Sequence, residues 1–335
     1  MKEYEIGKNE AGQRLDKYLR KLFPLAPGSF IYKMLRKKNI VWNGKKADGA
    51  QFLSVGDRIA CWLSDETIAK FQRPQDDNRR TENLIQKQNE NPIQKQTGNP
   101  IQKLDILYED SDILAINKPA GMLSQKSRPD DFSANEAILN YLLKKGELTK
   151  EELLTFRPSI CNRIDRNTSG ILTAGKTLHG LQDLTAQFRE RSAQKYYLCI
   201  AIGELKEPLR LSGRLEKDAF KNRAYLNKRA YLDKKASFVI ETEYEPLQTY
   251  DGFTLLEAHL ITGRTHQIRA QLSSIGHALA GDPKYGDPNV NAYFKKKMHI
   301  SRQMLHAHRL VLNNGLEITA PPPEDFTRAL DLLRI

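Results

Sequence analysis

A chain of 335 residues with 39% hydrophobic content has room for about two domains and a buried core, and its 53 Lys plus Arg against 41 Asp plus Glu give a formal net charge of +12. A sequence pI near 9.4 argues for a polyanionic partner, with nucleic acid the first candidate. No apolar run approaches the ~18–20 residues a bilayer span needs, and the first residues, MKEYEIGKNEAGQRLDKYL, lack the apolar stretch of a secretory signal, so a cytoplasmic protein without membrane partners is expected.

From the amino terminus, Leu15, Tyr18, Leu19 and Leu22 recur at helical spacing with Lys17, Arg20 and Lys21 on the other face. Ile31, Met34 and Leu35 repeat the pattern beside Lys33, Arg36, Lys37 and Lys38, which predicts two short basic helices. Ile40-Val-Trp-Asn43-Gly44 reads as a strand entering an Asn-Gly turn, and Val55-Gly-Asp-Arg-Ile-Ala as a turn and a final strand. This module, residues 1–64, holds 13 Lys/Arg against 6 Asp/Glu. Such lysines serve equally as a plain solvated face or as a grip on phosphates.

Residues 65–103 are rich in Gln, Asn, Lys and Pro, and an eight-residue unit recurs there as Asn83-Leu-Ile-Gln-Lys, Asn91-Pro-Ile-Gln-Lys and Asn99-Pro-Ile-Gln-Lys. One isoleucine per unit cannot bury enough surface to offset chain entropy, which predicts a tether and not a solenoid. Residues 104–335 form the third region, and residues 105–335 are nearly balanced at 33 basic against 29 acidic side chains. A basic module tethered to such a body suggests a grip that delivers nucleic acid to a catalytic domain.

In the body, Ile113-Leu-Ala-Ile-Asn-Lys-Pro reads as a buried strand stopped by Pro119, and Ser133-Ala-Asn-Glu136 as a capping box opening a helix to about Lys145. Strands are expected over 196–202, 237–244 and 253–261, a hairpin through Asn314-Gly315 joining 308–312 to 316–320, and helices over 178–189, 265–275 and 324–333. The fold class that follows is α+β, with a mixed, mainly antiparallel sheet and helices packed beside it. Cys61, Cys161 and Cys199 are widely spaced with no CxxC and are expected to be reduced thiols.

The segment Asn162-Arg-Ile-Asp165-Arg-Asn-Thr-Ser-Gly170 places a carboxylate between Arg163 and Arg166 in a turn-rich stretch. Flanking arginines favour a charged Asp165, available as nucleophile or base. An Asp beside Thr, Ser and Gly serves as readily as a turn or cap residue. His306-x-His308 with His266 and His277 raises a metal site, but no Cys or carboxylate cluster completes one, and no metal is expected.

The residues 163–170 resemble the signature of the RluA family of pseudouridine synthases, in which the aspartate is catalytic. Lys195-Tyr-Tyr197 is similar to the family's Lys-x-Tyr segment, whose tyrosine stacks on the target base. Thr262-Gly-Arg264-Thr-His-Gln-Ile-Arg269 resembles the stretch whose first arginine pairs with the aspartate. Leu279-x-Gly281-Asp282-x-x-Tyr285-Gly286 and Leu305-His-Ala-x-x-Leu310 resemble later segments. The amino-terminal module, with Arg14-Leu-Asp-x-x-Leu19 and Lys33-x-x-Arg36-Lys37, is similar to the alpha-L RNA-binding motif. One departure is Asn162, where many members carry His.

The resemblance implies a pseudouridine synthase fold and an isomerase that flips a uridine out of RNA, breaks its glycosidic bond and remakes it at carbon 5, with no cofactor. It implies Asp165, Arg264 and Tyr197 as catalytic residues, and Arg14, Lys17, Lys33, Arg36, Lys37, Lys38, Arg163 and Arg166 as RNA contacts in a monomer. Large-subunit rRNA is the expected substrate and tRNA the alternative. The competing functions are a non-catalytic rRNA-binding or ribosome-assembly protein, and a base-processing enzyme such as a glycosylase or glycosidase, where paired carboxylates would be expected.

Overall fold

The computed structural model describes residues 1–72, 104–149, 152–218, 223–226 and 238–334. The octapeptide repeat lies outside the described residues.

The module opens with β1 (Lys2–Glu5), followed by α1 (Leu15–Leu22), α2 (Gly28–Arg36), β2 (Ile40–Trp42), β3 (Arg58–Cys61) and α3 (Asp65–Phe71). The strands form a three-stranded sheet in the order β1-β3-β2, joined at β2 by the expected Asn-Gly turn, in which Asn43 and Gly44 both take positive φ. The apolar stripes of α1 and α2 supply Leu15, Leu19, Leu22, Ile31 and Leu35 to one buried cluster with Ile40 and Ile59. Helix α3 falls where composition alone places the start of the tether. Ser64 caps it by accepting from the amide of Thr67, Ile68 joins the module's core, and Phe71 packs 4.5 Å from Phe30. The module meets the body where Thr155 donates to Glu10 at 2.7 Å and Asn9 donates to Glu152 at 3.0 Å.

The body's strands are β4 (Ile106–Glu109), β5 (Ile113–Lys118), β6 (Ser159–Ile160), β7 (Ser169–Gly175), β8 (Gln194–Ile202), β9 (Leu209–Asp218), β10 (Arg223–Leu226), β11 (Phe238–Tyr250), β12 (Phe253–Leu260), β13 (Leu305–Val311) and β14 (Glu317–Thr319). They make one sheet in the order β10-β9-β11-β12-β8-β13-β7-β5-β4, with β14 beside β13 and β6 beside β7. Among the described residues every strand pairing is antiparallel except β13 with β7, so the mixed, mainly antiparallel expectation holds. The helices are α4 (Ala134–Lys145), α5 (Leu178–Glu190), α6 (Gln267–Ser274), α7 (Pro288–Met298) and α8 (Glu324–Leu333).

Both faces of the sheet's central strands are covered, which is why they read as continuous apolar runs. In β5, Leu114 and Ile116 join Ile138, Leu139 and Leu142 of α4 and Ile268 and Leu272 of α6. Their neighbours Ile113 and Ala115 join Leu184 of α5. Strand β8 alternates likewise, with Tyr197, Cys199 and Ala201 in the first cluster and Leu198 and Ile200 facing Phe294 and Met298 of α7 and Phe326 of α8.

The Ser133 capping box takes a different form from the one expected. Ser133 is the N-cap residue but makes no side-chain bond to the helix amides, and its hydroxyl instead contacts the Glu136 carboxylate.

His306 of β13 is fully buried, with Nδ1 2.9 Å from the Ser169 hydroxyl and Nε2 3.1 Å from the Ala320 carbonyl. Burial pushes its pKa from 6.5 down to about 4. The unfolded chain therefore takes a proton at this site near pH 6.5 and the folded chain only near 4. Stability is whole above the first value and erodes as pH falls through the window, by up to about 3 kcal/mol at ~1.36 kcal/mol per unit. Urea unfolding at pH 7 and pH 4.5 is expected to show a smaller difference in His306→Gln than in wild type, and equal differences would remove His306 as the cause.

Candidate active site

Asp165 stands on the turn that carries the chain from β6 into β7, closed by the amide of Thr168 donating to the Asp165 carbonyl at 3.0 Å. The turn is held by four buried groups and by the half-buried Asn162. The Ser124 hydroxyl donates to the Ile164 carbonyl at 2.7 Å and accepts from its amide at 3.2 Å. Lys118, fully buried, donates to the carbonyls of Pro119, Met122 and Arg166 at 2.9, 2.8 and 3.2 Å. Burial pulls its ammonium down to about 7. Arg302 reaches the Asn167 carbonyl at 3.3 Å, and Gln303 the Thr168 hydroxyl at 3.1 Å. Asn162 accepts from the amide and hydroxyl of Thr173 at 2.8 and 3.0 Å and donates to the Ile171 carbonyl at 3.2 Å. The residue that departs from the family pattern thus ties the turn to β7.

The sheet register places the aromatic wall. Ala307 of β13 pairs with Gly170 of β7 on one side and with Tyr197 of β8 on the other, so the three residues form one row across three strands. Gly170 has φ +111°, and a Cβ there would lie 2.1 Å from the Ala307 carbonyl oxygen, so only glycine lets the parallel strand approach. Tyr197 is buried among apolar core residues. Burial raises its phenol above the ordinary tyrosine value, and the charge of Asp165 adds to the shift.

The cationic wall is α6 and the loop before it. Arg269 donates from Nη1 to Asp165 Oδ2 at 2.8 Å, and His266 Nε2 lies 3.7 Å from the same oxygen. The arginine hydrogen-bonded to the aspartate is therefore Arg269, where the sequence reading expects Arg264. The helix explains the difference, because α6 begins at Gln267 and turns Arg269 into the buried interior. Arg264 precedes it, with its amide held by Gln267 Oε1 at 3.1 Å. Arg269 is itself gripped by the fully buried Asp282, Nε to Oδ2 at 2.7 Å and Nη2 to Oδ1 at 2.8 Å. Burial pulls the guanidinium's pKa down, but the bonds and charge of Asp282, joined by Asp165, outweigh it and raise it above the ordinary arginine value, so Arg269 stays charged.

Asp165, Tyr197, Arg264, His266 and Arg269 line one cleft of about 600 Å³, whose walls also carry Lys126, Arg163, Arg166 and Lys195. A carboxylate with a cation, an aromatic wall and a basic surround is suited to hold a flipped base by its ring and its backbone phosphates. Arg163 and Arg166 are exposed there. The module's Lys17, Lys33, Arg36, Lys37 and Lys38 are exposed and Arg14 is half-buried against Asp16. None of these six lines this cleft. A second cleft of about 590 Å³ lies where Lys8 and Asn9 face the body, and its Lys145 and Lys176 are paired with Glu109 and Glu147. Among the described residues no group of three or more His, Cys, Asp or Glu is placed to hold a metal ion.

The sequence reading missed His266, Asp282 and Lys118 as parts of the site. The pairing of Arg269 with Asp282 becomes evident only in the fold: residues 267–272 are all buried, and an arginine in such a run requires a buried carboxylate.

The chain is similar to known proteins in both sequence and structure. Residues 112–274 match the family model described as RNA pseudouridylate synthase. The chain is 31% identical to ribosomal large subunit pseudouridine synthase C of Vibrio vulnificus, over 98% of this chain and 96% of that protein. It is 30% identical to the protein of the same name in Rickettsia bellii, over 94% and 96%. Among solved structures, human RNA pseudouridylate synthase domain containing 4 superposes with a TM-score of 0.56 at 22% identity, covering 69% of this chain and 93% of that one. That likeness shows the shared fold.

Proposed function

Since the chain belongs to the RNA pseudouridylate synthase family, we propose that it isomerises specific uridines of large-subunit ribosomal RNA, with Asp165 as the catalytic carboxylate. The observation that carries this reading is the cleft in which Asp165 meets a permanently charged guanidinium at 2.8 Å beside the wall of Tyr197. Isomerisation breaks the bond from the ribose to N1 and forms one to C5. C5 loses a proton and N1 gains one, so atoms and electrons balance with no oxidant and no added group. The chain must supply a carboxylate aimed by a cation, and a surface that keeps the detached base in place. Asp165, Arg269 and Tyr197 fill these roles, and Arg264, at the same cleft, is assigned to the RNA backbone together with Arg163 and Arg166. We assign rRNA over tRNA because relatives matching nearly the whole chain carry large-subunit rRNA synthase names. The protein is read as a cytoplasmic monomer.

The test is incubation of the purified protein with unmodified large-subunit rRNA labelled with tritium at uracil C5. Tritium release and a mapped pseudouridine are expected, and the absence of release from rRNA alongside release from tRNA would reverse the substrate assignment.

The exposed Lys33 and Arg36 of α2 and Lys37 and Lys38 just after it are assigned to phosphate contacts. Replacing Lys33, Arg36, Lys37 and Lys38 together by Ala is expected to weaken RNA binding and flatten its salt dependence by roughly three units of slope, at ~0.7–0.9 per phosphate contact. Chemistry at saturating RNA is expected to be retained. An unchanged slope in a filter-binding titration against salt would remove the module from the RNA interface.

A further inference from the structure

Arg269 at 2.8 Å and His266 at 3.7 Å meet the same oxygen of the Asp165 carboxylate, Oδ2. Among the described residues no hydrogen bond reaches Oδ1. The two groups are in turn held from one short turn, residues 281–286. Asp282 grips the far edge of Arg269 with two bonds. The Tyr285 hydroxyl lies 3.1 Å from His266 Nδ1, and its ring lies under the Arg269 guanidinium, 5.2 Å from Cζ to centroid.

The turn is itself rigidly set. Asp282 Oδ1 accepts from the amides of Lys284 and Tyr285 at 2.8 and 3.1 Å, and Asn291 donates to the Asp282 carbonyl at 2.8 Å. Gly281 has φ +73°, and a Cβ there would lie 2.2 Å from the Arg302 carbonyl oxygen. His266 occupies the left-handed region at φ 59°, a costly backbone for a non-glycine residue that persists when its surroundings hold it. In the tautomer where the Tyr285 O–H donates to Nδ1, the imidazole presents an N–H from Nε2 toward Asp165.

We propose that the 281–286 turn is a two-pronged clamp in which Asp282 and Tyr285 are positioning residues, fixing Asp165 through Oδ2 and leaving Oδ1 as the oxygen that reacts with the substrate. This rests on the assignment of Asp165 as the catalytic carboxylate. Neither residue lines the cleft, so their effect passes through Arg269 and His266. A carboxylate free to swing by about an ångström loses on the order of 100-fold in rate.

The experiment compares the full-length protein with Tyr285→Phe, Tyr285→Leu and Asp282→Asn. Tyr285→Phe keeps the ring under Arg269 and loses only the hydroxyl, so kcat for tritium release is expected to fall about tenfold while KM and Tm stay near wild type. Tyr285→Leu removes both supports, and Asp282→Asn removes the charge that balances Arg269; each is expected to fall about a hundredfold or more. Wild-type kcat in Tyr285→Phe, or a loss carried by KM or Tm instead, overturns the clamp. If Asp282→Asn does not accumulate folded, the two Tyr285 variants decide. A second readout is independent of activity: the His266 ring 15N resonances are expected to shift in Tyr285→Phe, and an unchanged spectrum also overturns the proposal. A wild-type protein inactive on every RNA would instead count against the function proposed above, with the ring spectrum still testing the clamp.

Discussion

Asp165→Asn is expected to bring tritium release from C5-labelled rRNA down by at least ~10³-fold while leaving the fold and RNA affinity close to wild type. The substitution is nearly isosteric and keeps an oxygen where Oδ2 accepts from Arg269. Arg269 retains its two bonds to Asp282, so no buried cation is left without a partner. What disappears is the negative charge and the nucleophilic or basic oxygen. The measurement is single-turnover release at saturating RNA, alongside a binding titration and a thermal melt. Release above about a tenth of wild type would take Asp165 out of the mechanism, and full RNA binding without release would identify the variant as the non-catalytic binder its cleft then resembles.

The parts legible in the sequence were those whose signal is local. Helix α5 and helix α8 were predicted to within a residue because their apolar spacing and flanking residues agree. The Asp165 turn was legible because Arg, Asp, Thr, Ser and Gly crowd into eight positions, and glycine at Gly170 answers to a contact with β13. That contact joins residues 137 positions apart, like the Ser169 to His306 bond beside it, so the parallel pairing of β7 with β13 has no local trace. Strand β11 runs to Tyr250, past the end expected at 244, because a register shift between Pro246 and Gln248 absorbs the proline. Helix α7 was overlooked although its start is written plainly, with Asp287 capping and Pro288 in the first turn. Its Asn-rich opening and three consecutive lysines blur the apolar period. The partner of Asp165 was misassigned for a similar reason: a motif names its arginines, but only the helix boundary at Gln267 decides which one turns inward.

That boundary sets up the second large effect, in which Arg269 and Arg264 should behave as opposites. Arg269→Met leaves Asp282, fully buried, without the cation that balances it. Breaking a buried pair from one side costs about 3–5 kcal/mol, so a substantial drop in Tm is expected together with a fall in kcat of ~10²–10³-fold. Arg269→Lys separates the two consequences. A lysine restores a positive charge near Asp282 and recovers part of the stability, but one ammonium cannot reproduce the planar fork that binds Asp282 through Nε and Nη2 while offering Nη1 to Asp165. Its kcat is therefore expected to stay low even where its Tm recovers. Arg264→Met, in the loop before α6, is expected to leave Tm near wild type and to raise KM more than it lowers kcat, as removal of a substrate contact does. Steady-state kinetics and melts on the three variants discriminate cleanly: a larger kcat loss in Arg264→Met than in Arg269→Lys would hand the aspartate's partnership back to Arg264 and make the Arg269 to Asp282 pair a purely structural one.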